Sequence, residues 1–302
     1  MNAIIHIGTE KTGTTSLQLF LLKNSHTLLQ QGVLFPKLNS TTKGNHYPLG
    51  LCCYSDDRID EFNRGIPDWD AYKVKLHDMF KAEIKERNFD TLLLSSEHFQ
   101  SRLTTESEIL RLKQLIYSFG AKKISIILYL RDPACIAQSL YSTAMRVGHD
   151  WECPPPPREA RMDILCNHKQ TIEAWSRAYG SENVHPRLYL RDENKSFSIV
   201  NDFCGFINIS RDNTTPIEDA NTSISTQGCK LLQLHNMLIK RYENNQINPE
   251  RESYVEFIEN NFKGSYFMRA ELRHEYDKAY NISNTWVKDT YFPERKNLFG
   301  ND

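Results

Sequence analysis

The apolar run Ala3-Ile4-Ile5-His6-Ile7, followed at once by Gly8-Thr9-Glu10-Lys11-Thr12-Gly13-Thr14-Thr15-Ser16, constrains this chain more than any other stretch. Ile4, Ile5 and Ile7 make a short buried strand. Leu17, Leu21 and Leu28, with Phe20 beside them, recur on one face of a helix that begins near Thr14. The turn between them therefore sits at a helix N-terminus, where unpaired backbone N–H groups and the positive end of the dipole attract an anion. Gly8 and Gly13 let the backbone turn tightly and approach a ligand, and the hydroxyls of Thr14, Thr15 and Ser16 add donors. His6, alternating with Ile5 and Ile7, reads as a satisfied buried histidine.

A second strand-to-helix junction follows the β-rich run from Ile124 to Leu130. It reads Arg131-Asp132-Pro133, with Ser139 and Tyr141 further on. Asp132 is placed to cap a helix whose first position is Pro133, where a missing N–H costs nothing. Ile136, Leu140, Ala144 and Val147 mark that helix's buried stripe. Arg131 is left at the carboxyl end of a strand with a planar fork of donors for a phosphate, and Ser139 offers a hydroxyl about two helical turns on. Ligands of open α/β sheets bind beyond the carboxyl ends of the strands, so both junctions point to one edge.

Strands alternate with helices elsewhere too: a helix at about 69 to 87, a strand at Thr91-Leu-Leu-Leu-Ser95, a helix at about 106 to 119, and a strand from Val184 to Leu190. Such alternation implies crossover connections and a parallel sheet. Residues 38 to 68 read as a long loop or lid, in which Tyr47 and Tyr54, with Trp69 just beyond, serve either sugar stacking or loop packing. Pro154-Pro-Pro-Pro157 reads as an extended segment that either walls an acceptor cleft or spaces the surface. Beyond about residue 222 the chain reads as entirely helical, a C-terminal cap on a single domain spanning 1 to 302.

With 39% hydrophobic residues the chain supports a substantial core, and its net charge of −1 argues against nucleic acid or an anionic membrane as a general partner. Any anion site must be local, and Lys11, Arg131 and Arg146 would suffice. The opening residues lead directly into a strand, and no apolar stretch nears the length of a membrane span, so a cytoplasmic protein is expected. Seven cysteines without a C-x-x-C pair support neither a zinc site nor a disulfide framework.

The first turn is similar to a Walker A loop but has Thr14 where the lysine should follow the second glycine. Lys11-Thr12-Gly13-Thr14-Thr15-Ser16 instead resembles the 5′-phosphosulfate loop of sulfotransferases that use 3′-phosphoadenosine 5′-phosphosulfate (PAPS). Arg131-Asp132-Pro133 with Ser139 resembles the 3′-phosphate motif of the same family. The likeness, closest to the bacterial carbohydrate-type enzymes, runs from the first strand to roughly the helix after Asn221.

It implies a P-loop-like three-layer α/β fold with a central parallel sheet. It also implies PAPS as donor, held by Lys11, Thr12, Gly13, Thr14, Thr15, Ser16, Arg131 and Ser139. Sulfuryl transfer would go to a hydroxyl, less often an amine, of a glycan or other small hydroxylated acceptor, with no metal. Lys11 would stabilise the leaving phosphate.

An acceptor hydroxyl needs a positioned base. Glu97, just past the 91–95 strand, is one candidate, its neighbour His98 another, and His46 in Asn45-His46-Tyr47 a third, since the family also draws His and Glu from the loop before this strand. Glu97 could equally cap a helix or pair with a cation. A P-loop kinase and a nucleotide-binding protein without turnover are the alternative readings.

Overall fold

The computed structural model describes residues 1–37, 44–85, 87–217, 223–243 and 246–300. The first half runs β1 (Asn2–His6), α1 (Thr14–Lys23), α2 (Ser25–Gln30), β2 (Val33–Leu34), α3 (Tyr47–Leu51), α4 (Trp69–Lys85), β3 (Thr91–Ser95), α5 (Glu97–Arg102) and α6 (Glu106–Ser118). The second half continues β4 (Lys123–Leu130), α7 (Pro133–Arg146), α8 (Ala160–Cys166), α9 (His168–Tyr179), β5 (Val184–Leu188), α10 (Ile199–Phe206) and α11 (Thr226–Leu238). It closes with a small hairpin, β6 (Tyr242–Glu243) and β7 (Gln246–Ile247), then α12 (Pro249–Asn261) and α13 (Ala270–Tyr291).

The main sheet has the order β2-β3-β1-β4-β5, and every neighbouring pair in it is parallel. This is the expected α/β architecture. Side-chain alternation divides the core between the sheet's two faces. Leu92, Leu94, Ile126 and Leu128 point to the side covered by α6 and α9, where Ile116, Ile172 and Trp175 meet them. Leu93, Ile127 and Tyr129 point to the other side, against Leu17, Phe20 and Leu21 of α1 and Phe203 of α10. In register, His6 lies beside Ser95 on one flank and Ile127 on the other, so β1 and β3 end level at the same edge.

Local signals account for the helix starts. Asp132 Oδ1 accepts from the backbone N–H groups of Ala134 (2.9 Å) and Cys135 (3.1 Å), capping α7 as the Asp-Pro pair predicts. Ser225 caps α11 in the same way. Ile136, Leu140 and Ala144 are buried along α7, but Val147 is 39% exposed because the helix has ended at Arg146.

The C-terminal region departs from an all-helical run. The β6–β7 hairpin and the stretch 262 to 269 interrupt it, and within α11 Leu232 is buried while Leu238 faces solvent. Helices α11 and α12 pack on α7 through Tyr141, Met145, Cys229, Leu232 and Ile258, and α13 packs on α7 and α8 through Tyr276 and Tyr280. The Asn221-to-Ser225 resemblance falls partly outside the described residues, as do residues 38 to 43 of the 38-to-68 lid, whose remainder carries α3.

Arg251 holds this layer to α7. Its side chain is fully buried; Nη2 donates to the Met145 (3.1 Å) and Arg146 (2.7 Å) carbonyls, Nε donates to Asn236 Oδ1 (3.2 Å), and Nη1 pairs with Glu252 (2.6 Å). The guanidinium thus satisfies carbonyls that the last turn of a helix leaves open, and its charge complements the negative end of the dipole. Arg251→Met would strand those acceptors. We expect a loss of about 3 kcal/mol of unfolding free energy, read as a lower denaturant midpoint at unchanged slope.

Candidate active site

Past the carboxyl ends of β1, β3, β4 and β5 lies a cleft of about 810 Å³, lined by Lys11, Gly13, Thr14, Thr15 and Ser16 from the first turn, Glu97 and His98 after β3, and Arg131, Ser139, Thr143 and Arg146 around α7. Both anion-binding elements read from the sequence therefore open into one space. They also touch. Arg131 Nη1 donates to the Lys11 carbonyl at 2.6 Å, and Lys11 Nζ donates to Thr143 Oγ1 at 2.6 Å, one turn beyond Ser139 on α7.

Gly13 is the N-cap of α1 in the left-handed region (φ 79°), and no side chain caps the helix or places an acid in its first turn. A Cβ at Gly13 would sit 3.3 Å from both Ile199 and Tyr189, so glycine is needed there for conformation and for space. Lys11 also takes a positive φ of 67°, and its side chain reaches across to Thr143 of α7. Burial, partly offset by Glu10 and reinforced by Arg131 and Arg146, pushes its ammonium down to about 8. Thr12 points away from the cleft: its hydroxyl is buried and donates to the Thr9 carbonyl at 2.6 Å, bracing the turn.

Arg131 is clamped side-on by Asp192, Nε to Oδ2 at 2.6 Å and Nη2 to Oδ1 at 2.8 Å, with its guanidinium 5.3 Å from the centre of the Tyr189 ring. A bidentate carboxylate of this kind orients the fork. Strand alternation, which does not decide whether Glu97 or His98 points inward, ends at Ser96, which caps α5 by accepting from His98 N. Both residues then lie in the first turn of a helix, and both line the cleft.

Glu97 Oε2 accepts from Gln18 Nε2 (2.8 Å) and Asn45 Nδ2 (3.0 Å). Gly8 backs it so closely that an added Cβ would be 3.0 Å from Glu97 Cα. His98 packs edge-on against Tyr47 and tilted against Phe62.

His46 stands elsewhere. It is buried outside the cleft lining, its Nδ1 accepting from Ser95 N–H at 3.0 Å and its Nε2 donating to the Pro36 carbonyl at 2.9 Å. Burial outweighs those backbone contacts and pushes its pKa down to about 4. With both ring nitrogens committed to backbone, it ties the residue-46 loop to β3 and has no lone pair for a substrate proton. His6 shares its Nδ1 with Ser95 Oγ at 2.8 Å, while its Nε2 has no partner among the described residues, so it is buried but only half satisfied.

The loop aromatics pack on the protein. Tyr54 is buried and donates to Asp60, Trp69 stacks on Tyr72, and Tyr47 packs on Phe62. The polyproline segment is likewise no part of the cleft lining, being pinned to α13 by Tyr276 Oη donating to the Pro155 carbonyl at 2.6 Å.

Sequence reasoning passed over several lining residues. Glu10 is buried with Arg161 3.3 Å away; burial would raise its carboxyl, but Arg161, the Ser101 hydroxyl and His98 hold it below the usual range. Its position inside the motif was the available signal. Arg191, Lys195 and Arg211, with Phe197, come from loops whose course no periodicity reveals, and Tyr189, expected within the Val184-to-Leu190 strand, stands just past β5, which ends at Leu188.

No family model matches the chain, and no curated protein matches it. Among solved structures it is similar to a sulfotransferase from Alicyclobacillus acidocaldarius, with a TM-score of 0.51 and 14% identity over 96% of this chain and 95% of that one. The likeness is one of fold. Looser matches are a sulfotransferase domain from the curacin biosynthetic pathway (TM-score 0.39, 13% identity, 92% and 97% covered) and one from the Synechococcus PCC 7002 olefin synthase (0.36, 12%, 85% and 93%). No helix among the described residues is long and apolar enough to cross a membrane.

Proposed function

We propose that this protein is a sulfotransferase that takes a sulfuryl group from PAPS and passes it to a hydroxyl of a carbohydrate or other small acceptor. The observation that carries this reading is the convergence of Lys11 and the α1 start with Arg131 and Ser139 in one cleft. The residues fit a doubly phosphorylated nucleotide: an uncapped helix start, a lysine and an arginine at separate points, further cations at Arg191, Lys195 and Arg211, and a volume within the range of ligand pockets.

PAPS supplies an activated sulfuryl group, whose S–O bond to the 5′-phosphate breaks as the acceptor oxygen bonds to sulfur. Lys11, the α1 N–H groups and the Thr14, Thr15 and Ser16 hydroxyls stabilise charge on that phosphate. Arg131 and Ser139 hold the 3′-phosphate. Glu97 takes the acceptor's proton, with Gln18 and Asn45 fixing one carboxylate oxygen while the other serves as base. His98, next to it in the cleft, is the second candidate.

Thermal unfolding with nucleotides tests the donor. Saturating 3′,5′-bisphosphoadenosine without magnesium is expected to stabilise the fold by about 2.7 kcal/mol at a hundred times Kd, a rise of several degrees. A preference for magnesium-ATP would overturn the reading in favour of a kinase. Bisphosphate binding without transfer to any acceptor would favour a non-catalytic nucleotide-binding protein.

A further inference from the structure

The grip of Arg131 depends on a loop. Asp192 takes one hydrogen from Nε and one from Nη2, and the Lys11 carbonyl takes one from Nη1, so three of the guanidinium's five N–H groups are held by the protein and one remains on each terminal nitrogen. Where that remaining pair points is decided largely by Asp192. The segment from 189 to 198, between β5 and α10, has no helix or strand of its own, though Tyr189, Arg191, Asp192, Lys195 and Phe197 in it line the cleft. A carboxylate on such a segment orients the arginine only as well as the segment is itself held.

Two features hold it. The Leu190 carbonyl accepts from Glu193 N (3.0 Å) and Asn194 N (2.7 Å), closing a turn over 190 to 194. Glu193, beside Asp192 in that turn, does not line the cleft. Its carboxylate is engaged on both oxygens by the stretch after α13: Arg295 Nη2 donates to Oε2 at 2.6 Å, and Gly300 N donates to Oε1 at 3.1 Å. The Arg295 and Glu193 side chains are only 15% and 17% exposed, so removing one partner leaves the other charge poorly solvated.

Residues 292 to 300 are anchored in turn. Arg295 N donates to the Phe292 carbonyl at 3.1 Å, and Arg295 Nε donates to the Asn297 carbonyl at 3.2 Å. Leu298 is buried in the apolar cluster that includes Leu188, with Leu190 packed against it. Phe299 meets His168 edge to face, ring centres 5.7 Å apart, and His168 Nε2 donates to the Arg131 carbonyl at 2.8 Å. The stretch therefore bears on Arg131 by two routes, to its side chain through the turn that carries Asp192 and to its backbone through His168.

Resting on the sulfotransferase reading, we propose that Arg295 and Glu193 are positioning residues for the donor's 3′-phosphate. The stretch after α13 locks the 190–194 turn, the turn aims Asp192, and Asp192 presents the remaining N–H groups of Arg131 to the phosphate. Neither Arg295 nor Glu193 touches the nucleotide.

Calorimetry on the full chain tests this with 3′,5′-bisphosphoadenosine and with adenosine 5′-monophosphate, which lacks the 3′-phosphate. Wild-type protein is expected to favour the bisphosphate by about tenfold or more, the scale of one charge-assisted contact. In Arg295→Gln the bisphosphate Kd is expected to rise by about tenfold while that of the monophosphate stays within about twofold, and Arg295→Lys is expected to recover part of the loss. Arg131→Gln should remove the preference, and adding Arg295→Gln to it should change the bisphosphate Kd by less than about twofold, since both act on one contact. Glu193→Gln keeps the side chain's shape and removes its charge, and it makes the same comparison should Arg295→Gln fail to fold.

An Arg295→Gln protein that keeps its bisphosphate affinity overturns the proposal. So does one that loses affinity for both nucleotides alike, which would mark the stretch as scaffold alone, and so do additive losses in the double variant. Wild-type protein that binds both nucleotides equally, or neither, would instead sink the sulfotransferase reading beneath it.

Discussion

Glu97→Gln is expected to lower kcat for sulfuryl transfer by about 10² to 10⁴-fold, the range that a positioned general base contributes. The substitution keeps shape and an acceptor oxygen for Gln18 and Asn45, so the first turn of α5 should stay in place. What it removes is the ability to receive a proton. Affinity for 3′,5′-bisphosphoadenosine should be unchanged, because in the proposed arrangement the carboxylate serves the acceptor and not the nucleotide. Single-turnover transfer of labelled sulfate separates the two effects. Wild-type turnover in this variant would move the role to His98, which His98→Gln would then reveal.

The second large effect is at Lys11. Lys11→Met is expected to reduce kcat by about 10² to 10³-fold, the loss seen when one preorganised donor to a developing anion is removed. Nucleotide binding should weaken less, since the α1 start, Arg131 and Ser139 remain.

The sign of the pH dependence follows from the lysine's environment. Burial brings Lys11 down to about 8, so in the free protein its ammonium is present below that pH and lost as pH rises through it. Donor kcat/KM should therefore fall on the alkaline side of about 8. In Lys11→Arg, whose charge persists at any accessible pH, that limb should disappear even if the rate is lower. An unchanged alkaline limb would show that another group titrates.

Much of this was legible in the chain because it is local. A strand, a glycine turn and a helix are neighbours in sequence, and so are Arg131, the Asp132 cap and Pro133; their geometry is decided within about ten residues. The unbroken apolar run Leu92-Leu93-Leu94 marked a strand in the same way, and its residues pack on both faces of the sheet.

His46 was not legible. Its commitment to Ser95 and Pro36 depends on a loop folding against β3, and a histidine beside a tyrosine looks the same whether it is free or buried. Glu97 was ambiguous because the count of alternating residues ignores Ser96, whose capping converts the strand's continuation into a helix. Thr12, inside the motif, looked like a ligand donor but braces the turn. Arg191, Lys195 and Arg211 reach the cleft through tertiary folding of loops, which leaves no spacing signature.

Arg251 has a meaning beyond stability. The two most specific motifs, Lys11 to Ser16 and Arg131 to Ser139, lie within the first 139 positions, which would tempt one to cut the chain after β5. Yet the guanidinium that finishes α7 arrives from α12, and Asp132 is steadied by Arg273 of α13 at 2.6 Å. A shortened fragment would carry both of these motifs and lack the late-synthesised parts that hold their supporting helix at both ends. The ribosome must therefore deliver nearly the whole polypeptide before the pocket acquires its final shape.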